Sequence, residues 1–207
     1  MMDCSKLKIN CLGASNTKIT KTEEKETIKD INYPLILGLL LRCTVRNSGI
    51  GGTNIAVQDG RSDSYYERAA SMDRDADIVI MQGDGNDASH GLPLGVPGCD
   101  EVKTFCGAVK GCIGLIRNNF PDAKIIILAG MKKQHQPKRD DGATHEDFHR
   151  AFIETCRLCG IEPYDFSKDP SLTWERPDMM PDGLHMSEKG CRHYADAVAE
   201  LVKKAVE

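Results

Sequence analysis

The sequence predicts an α/β fold, a single three-layer α/β/α sandwich in which helices cover a five-stranded parallel sheet. Three observations carry this expectation. Short apolar runs alternate with longer amphipathic ones. Two of the short runs are near-continuously apolar, as strands buried on both faces are. A length of 207 residues suits one domain, 1–207, with room for the core such a sheet needs. The expected strands are Leu7 to Leu12, Thr44 to Arg46, Asp77 to Met81, Lys124 to Ala129 and Ile161 to Phe166. The expected helices run from about Glu24 to Arg42, Asp63 to Arg74, Asp100 to Asn119, His145 to Cys159 and Ser187 to Val206. The last has a clear start signal, because Ser187 can cap it and Glu188 favours its positive end. Two polar stretches containing Gly or Pro, Ser89 to Gly98 and Met131 to Thr144, are loops long enough to flank or cover a site.

Composition removes several classes of function. A formal net charge of -4, an isoelectric point near 5.9 and 5% aromatic residues leave no basic footprint for nucleic acid. The longest apolar stretch, Pro34 to Leu41, falls well short of the ~20 residues that cross a bilayer. Met1 to Leu12 lacks the pattern of a secretory signal, so a soluble, cytoplasmic protein without a membrane partner is expected. The nine cysteines are odd in number and irregularly spaced, which suits reduced, mostly buried thiols. Cys156-x-x-Cys159 falls at the end of an expected helix, whereas a reactive thiolate prefers a helix start, so both read as small apolar residues.

In a doubly wound sheet, ligands bind beyond the carboxyl ends of the strands. Ser15 follows the first expected strand, Gly51 and Gly52 the second, and Gly83 to Asp87 the third, so all converge on one rim. A hydroxyl becomes a useful nucleophile when an imidazole takes its proton and a carboxylate fixes that imidazole's tautomer. Pro181-Asp182-Gly183-Leu184-His185 puts a carboxylate and an imidazole three residues apart, close enough to meet within one turn and leave Nε2 facing Ser15. Acyl transfer also needs preformed donors for a developing oxyanion. The glycines of Asn47-Ser48-Gly49-Ile50-Gly51-Gly52-Thr53 allow a close backbone approach, and Asn86 can offer its side-chain NH2.

Four blocks in this order, Leu12 to Thr17, Asn47 to Thr53, Gly83 to Asp87 and Asp182 to His185, resemble the SGNH hydrolases, also called GDSL-type esterases and lipases. The resemblance implies a flavodoxin-like sandwich with Ser15 as nucleophile, His185 as general acid/base and Asp182 as its orienting partner. It further implies an oxyanion hole made by the Ser15 amide, Gly52 and Asn86, with no metal or other cofactor. The implied substrates are small-molecule or carbohydrate esters, acetyl esters among them. Two positions depart from the family. Ala14 stands where Asp usually precedes the serine, which bears on the geometry of the first loop. Asp84 stands where a glycine is usual two residues before Asn86 and is expected to point away, because a carboxylate facing an oxyanion opposes its charge.

A rival chemistry is spelled out in His145-Glu146-Asp147-Phe148-His149, which can set two zinc-ligating imidazoles one helical turn apart with Glu146 as general base of a zinc-dependent hydrolase or peptidase. A catalytic zinc wants a third protein ligand, and none is signalled by spacing. A further alternative is an SGNH-fold protein that binds a glycan or acylated ligand without turning it over. His90 and Trp174 are candidates to contact substrate, with a packed tryptophan the simpler account of the second. His135 and His193 have no partner suggested by spacing and are expected on the surface.

Overall fold

In the computed structural model, which describes residues 4–18, 20–22, 29–83, 85–134 and 139–207, the elements follow one another as β1 (Lys8–Gly13), β2 (Thr20–Thr22), β3 (Lys29–Ile31), α1 (Tyr33–Leu41), β4 (Thr44–Gly49), α2 (Tyr65–Ser71), β5 (Ile78–Gly83), α3 (Phe105–Asn119), β6 (Lys124–Ala129), α4 (His145–Leu158), β7 (Tyr164–Asp165) and α5 (Glu188–Val206). The main sheet is parallel, in the order β4-β1-β5-β6-β7. β1 pairs with β4 from Lys8 opposite Thr44 to Gly13 opposite Gly49, and with β5 from Ile9 opposite Ile78 to Leu12 opposite Met81. The strand order therefore reverses at β1, and the crevice at its carboxyl end is the topological switch point.

Side-chain alternation divides the core into two layers. Ile78 and Ile80 of β5, with Ile9 and Cys11 of β1, face α1 and α5. Val79 and Met81, with Leu12, face α2, α3 and α4. Capping fixes where the helices begin. Ser64 and Thr144 each form a reciprocal capping box, with Glu67 and Asp147 respectively, while Thr104 and Ser187 cap α3 and α5. No helix among the described residues is long and apolar enough to cross a membrane. No disulfide forms among the cysteines.

Several expected boundaries shift, each for a local reason. The helix expected from Glu24 begins at Tyr33: Asn32 accepts from the Leu35 amide at 2.8 Å, and Pro34 sits in the first turn. Residues 24–28 of that expected helix lie outside the described residues, and Lys29–Ile31 is instead a strand paired antiparallel with Thr20–Thr22. The second parallel strand runs on to Gly49. The strand expected over Ile161 to Phe166 is reduced to Tyr164–Asp165, because Pro163 lacks an N–H to donate and the chain enters a 3-10 turn at Phe166.

Candidate active site

β1 ends at Gly13, and the Ala14 carbonyl accepts from the Thr17 and Lys18 amides at 3.2 and 2.8 Å, which turns the chain sharply around Ser15. Ala14 thus forms this turn without the acid usual before the serine. The turn presses on β4: a Cβ on Gly49 would lie 2.4 Å from the Lys18 backbone nitrogen, so only glycine fits there. Above it, the Ser15 hydroxyl lies 3.0 Å from His185 Nε2, and His185 Nδ1 lies 2.7 Å from Asp182 Oδ2. An ionised carboxylate only accepts, so Nδ1 carries the hydrogen and Nε2 is left to accept from the serine hydroxyl.

The Asp182 carboxylate also organises its own loop. Its Oδ1 accepts from the Leu184 and His185 amides at 2.9 and 2.6 Å, leaving Oδ2 for the imidazole. Partial burial would raise its pKa, but the bonds from the His185 amide and ring and the Leu184 amide outweigh that and hold it below the ordinary carboxylate value. The His185 and Asp182 side chains are 39% and 54% exposed, so the constellation opens directly to solvent.

Asn16, a residue that sequence reasoning passed over, joins the two loops. Its Nδ2 donates to the Leu184 carbonyl at 3.1 Å and its Oδ1 accepts from the Met186 amide at 3.0 Å, while its side chain is buried. Serine and imidazole are therefore set in register by one neighbouring amide. A second brace is Arg68, whose guanidinium donates to the carbonyls of Ser48 and Gly13 and to Thr53 Oγ1, tying the carboxyl ends of β1 and β4 together.

Gly52 and Asn86 come to the same rim. Gly52 has a φ of +72°, a left-handed conformation that favours glycine, and its neighbour Gly51 would carry a Cβ only 3.9 Å from that of Ser15. Asn86 Nδ2 donates one hydrogen to the Thr53 carbonyl at 2.8 Å, which fixes the amide and leaves its second hydrogen to point elsewhere. Next to it, the fully buried Asp87 accepts from the Ile55 and Ala56 amides, both at 2.8 Å, and so anchors the loop that follows Gly52.

Burial pushes the Asp87 carboxyl up to about 6 despite those backbone bonds. A carboxyl whose pKa is raised in the folded state stabilises it below the unfolded value and loses that contribution as pH rises through the folded value. The loss expected between about pH 4 and pH 6 is about 3 kcal/mol. In Asp87→Asn the amide also meets two N–H donors with one oxygen, a cost that does not vary with pH. The unfolding free energy of wild type minus that of Asp87→Asn, from urea titrations, is expected to fall by about 3 kcal/mol from pH 4 to 7. A difference that stays flat over this range would show that Asp87 does not titrate there.

The remaining candidates separate. His90 Nδ1 lies 2.7 Å from Asn54 Oδ1, so its ring is engaged by that amide, and the imidazole against Ser15 is that of His185. Trp174 is 37% exposed, and its Cβ lies 3.5 Å from where a Cβ on Gly183 would be, next to Asp182. His145 Nε2 pairs with Ser89 Oγ at 3.1 Å and His149 Nε2 with Asp165 Oδ1 at 3.1 Å, so the two imidazoles of the His-Glu-x-x-His segment have separate partners. Among the described residues, no group of three or more His, Cys, Asp or Glu is placed to hold a metal ion. His193 has a partner that spacing did not suggest, Asp169 Oδ2 at 2.8 Å. Cys156 is buried, which pushes its thiol up to about 12. Asp84 and His135 lie outside the described residues.

With this fold and rim in view, the chain belongs to the GDSL-like Lipase/Acylhydrolase family, whose model matches residues 11–193, and at that level it is an ester hydrolase. It is similar to a crystal structure 30% identical to it, with a TM-score of 0.85 over 96% of this chain and 97% of the other. A possible lipase from Chitinophaga pinensis DSM 2588, 19% identical, shares the fold with a TM-score of 0.72 over 96% of this chain and 98% of its own. A carbohydrate acetylesterase, Est24 from Sinorhizobium meliloti, 17% identical, shares it with a TM-score of 0.58 over 96% and 99%. A comparison with curated proteins gives no match.

Proposed function

We propose that this protein is a serine esterase of small acyl esters, acetyl esters foremost, acting through Ser15, His185 and Asp182. The observation that carries the reading is the unbroken chain from Ser15 Oγ through both ring nitrogens of His185 to Asp182, at 3.0 and 2.7 Å. The Ser15 oxygen attacks the acyl carbonyl carbon while His185 Nε2 takes the hydroxyl proton. The carbonyl oxygen becomes an oxyanion held by the amides of Ser15 and Gly52 and by the second Nδ2 hydrogen of Asn86. Collapse breaks the bond to the alcohol oxygen, which leaves with the proton from His185. Water, deprotonated by the same imidazole, then releases the acid and restores the serine.

The open rim, with Trp174 and His90 at its edge, suits alcohol partners as large as a sugar, and the likeness in fold to a carbohydrate acetylesterase supports sugar acetates as substrates. The absence of any disulfide among nine cysteines suits a reducing compartment such as the cytoplasm. A fluorophosphonate probe tests the reading by phosphonylating an activated serine with loss of fluoride. One probe per chain, mapped to Ser15 by peptide mass spectrometry, is the expected result. Labelling elsewhere, or none, would refute it.

A further inference from the structure

A cavity of about 310 Å³ opens beside the proposed catalytic groups, between the loop after β5, the loop after β6 and the first turns of α4. It borders the site on two sides. Gly83 and Gly85, just ahead of Asn86, form one wall. Gln134 forms another, and its backbone N–H donates to the Gly183 carbonyl at 3.1 Å, within the loop that carries Asp182 and His185. The floor is aromatic: Phe105 lies 5.0 Å from Phe148 at 60° and 6.3 Å from Phe152 at 45°, and all three are buried. His149, at the mouth, is held by Asp165, which in turn accepts from the Ser167 hydroxyl at 2.6 Å, so the His149 edge is fixed in place.

Size and lining together select an occupant. This volume is roughly ten times the ~30 Å³ that one water occupies in the liquid, far more than an acetyl methyl fills. The walls carry Lys132, Lys133, Thr144, Glu146 and Ser167, but over the floor a sugar ring would set hydroxyls against the three phenylalanines, where they pay for lost hydration. A flat ring with only C–H edges loses nothing there and meets tilted aromatic faces in the arrangement such rings prefer. We propose that this cavity is a subsite for a planar apolar ring carried by one half of the ester. The inference rests on the esterase reading and adds a class of substrate to it.

Initial rates followed by pH-stat test it with five esters. Methyl acetate is the small reference, methyl phenylacetate carries the ring on the acyl side, and benzyl acetate carries it on the alcohol side. Methyl octanoate is the linear counterpart, and 6-O-acetylglucose, which keeps its other hydroxyls free, the sugar. One of the two ring esters is expected to exceed methyl acetate in kcat/KM by roughly ten-fold or more, and to exceed the linear and sugar esters too. The side on which the ring works identifies which half of the ester the cavity holds. Ala88→Leu, which grows a buried side chain into the cavity, is expected to lower the ratio of ring ester to methyl acetate by roughly ten-fold. Equal or better turnover of methyl octanoate or 6-O-acetylglucose overturns the inference, as does an unchanged ratio in folded Ala88→Leu. Should that variant not fold, the wild-type comparison decides alone. No hydrolysis of any ester and no probe on Ser15 would remove the esterase reading itself, whereas hydrolysis without ring preference removes only the cavity's role.

Discussion

Ser15→Ala is expected to lower kcat for a chromogenic acetyl ester by at least roughly 10⁴-fold, leaving only what binding and the oxyanion donors supply. The expectation is this large because, in the proposed mechanism, the serine oxygen forms the covalent bond, and among the described residues the hydroxyl against His185 Nε2 is that of Ser15. The fold should be untouched. Ser15 is only partly buried and its hydroxyl bonds to a side chain that is itself 39% exposed, so deleting it changes stability by no more than about 0.5 kcal/mol. Measured by spectrophotometric turnover and by urea unfolding of the same preparation, the pair of results separates chemistry from folding. Turnover near the wild-type rate in Ser15→Ala would take the serine out of the mechanism.

Asp182→Asn is expected to cost roughly 10⁴-fold in kcat with little change in structure. The amide oxygen can still accept from the Leu184 and His185 amides, so the loop keeps its shape. Its NH2 then faces His185 Nδ1 in place of a carboxylate oxygen. A donor there turns Nδ1 into an acceptor and moves the ring hydrogen to Nε2, which can no longer take the serine proton. KM, by contrast, should stay within a few-fold because the substrate contacts are unaltered. A fall of less than ten-fold would show that the carboxylate does not orient the imidazole.

The central strands were legible because buried parallel strands are written as apolar runs, and the blocks holding Ser15 and Asn86 follow such runs directly, which made their shared rim readable as well. Elements outside that signal were not. The strands at Thr20–Thr22 and Lys29–Ile31 consist of polar and charged residues with one isoleucine, a composition that carries no period. The start of α1 was written in Asn32 and Pro34, a cap and a first-turn proline, but the charged stretch ahead of it looked like more helix. Pro163 gave fair notice that the fifth strand would be short.

At the site, the serine, imidazole and carboxylate could be read because each belongs to a recognisable local string. Asn16 lies inside one of those strings, yet its role depends on backbone atoms 168 and 170 positions away, and no local pattern announces such partners. The pairs His149 with Asp165 and His193 with Asp169 were hidden for the same reason.

The clasp that Asn16 makes has a bearing on how the molecule comes into being. Helices and neighbouring strands can assemble early from nearby segments, but this junction closes a loop spanning most of the polypeptide, an event whose entropic cost must be met late. During synthesis, the hydroxyl at 15 meets the imidazole that would activate it in the proposed mechanism only once the segment 182–186 has left the ribosome and docked. On the proposed mechanism, catalytic competence therefore reports that the circuit between the two ends has closed.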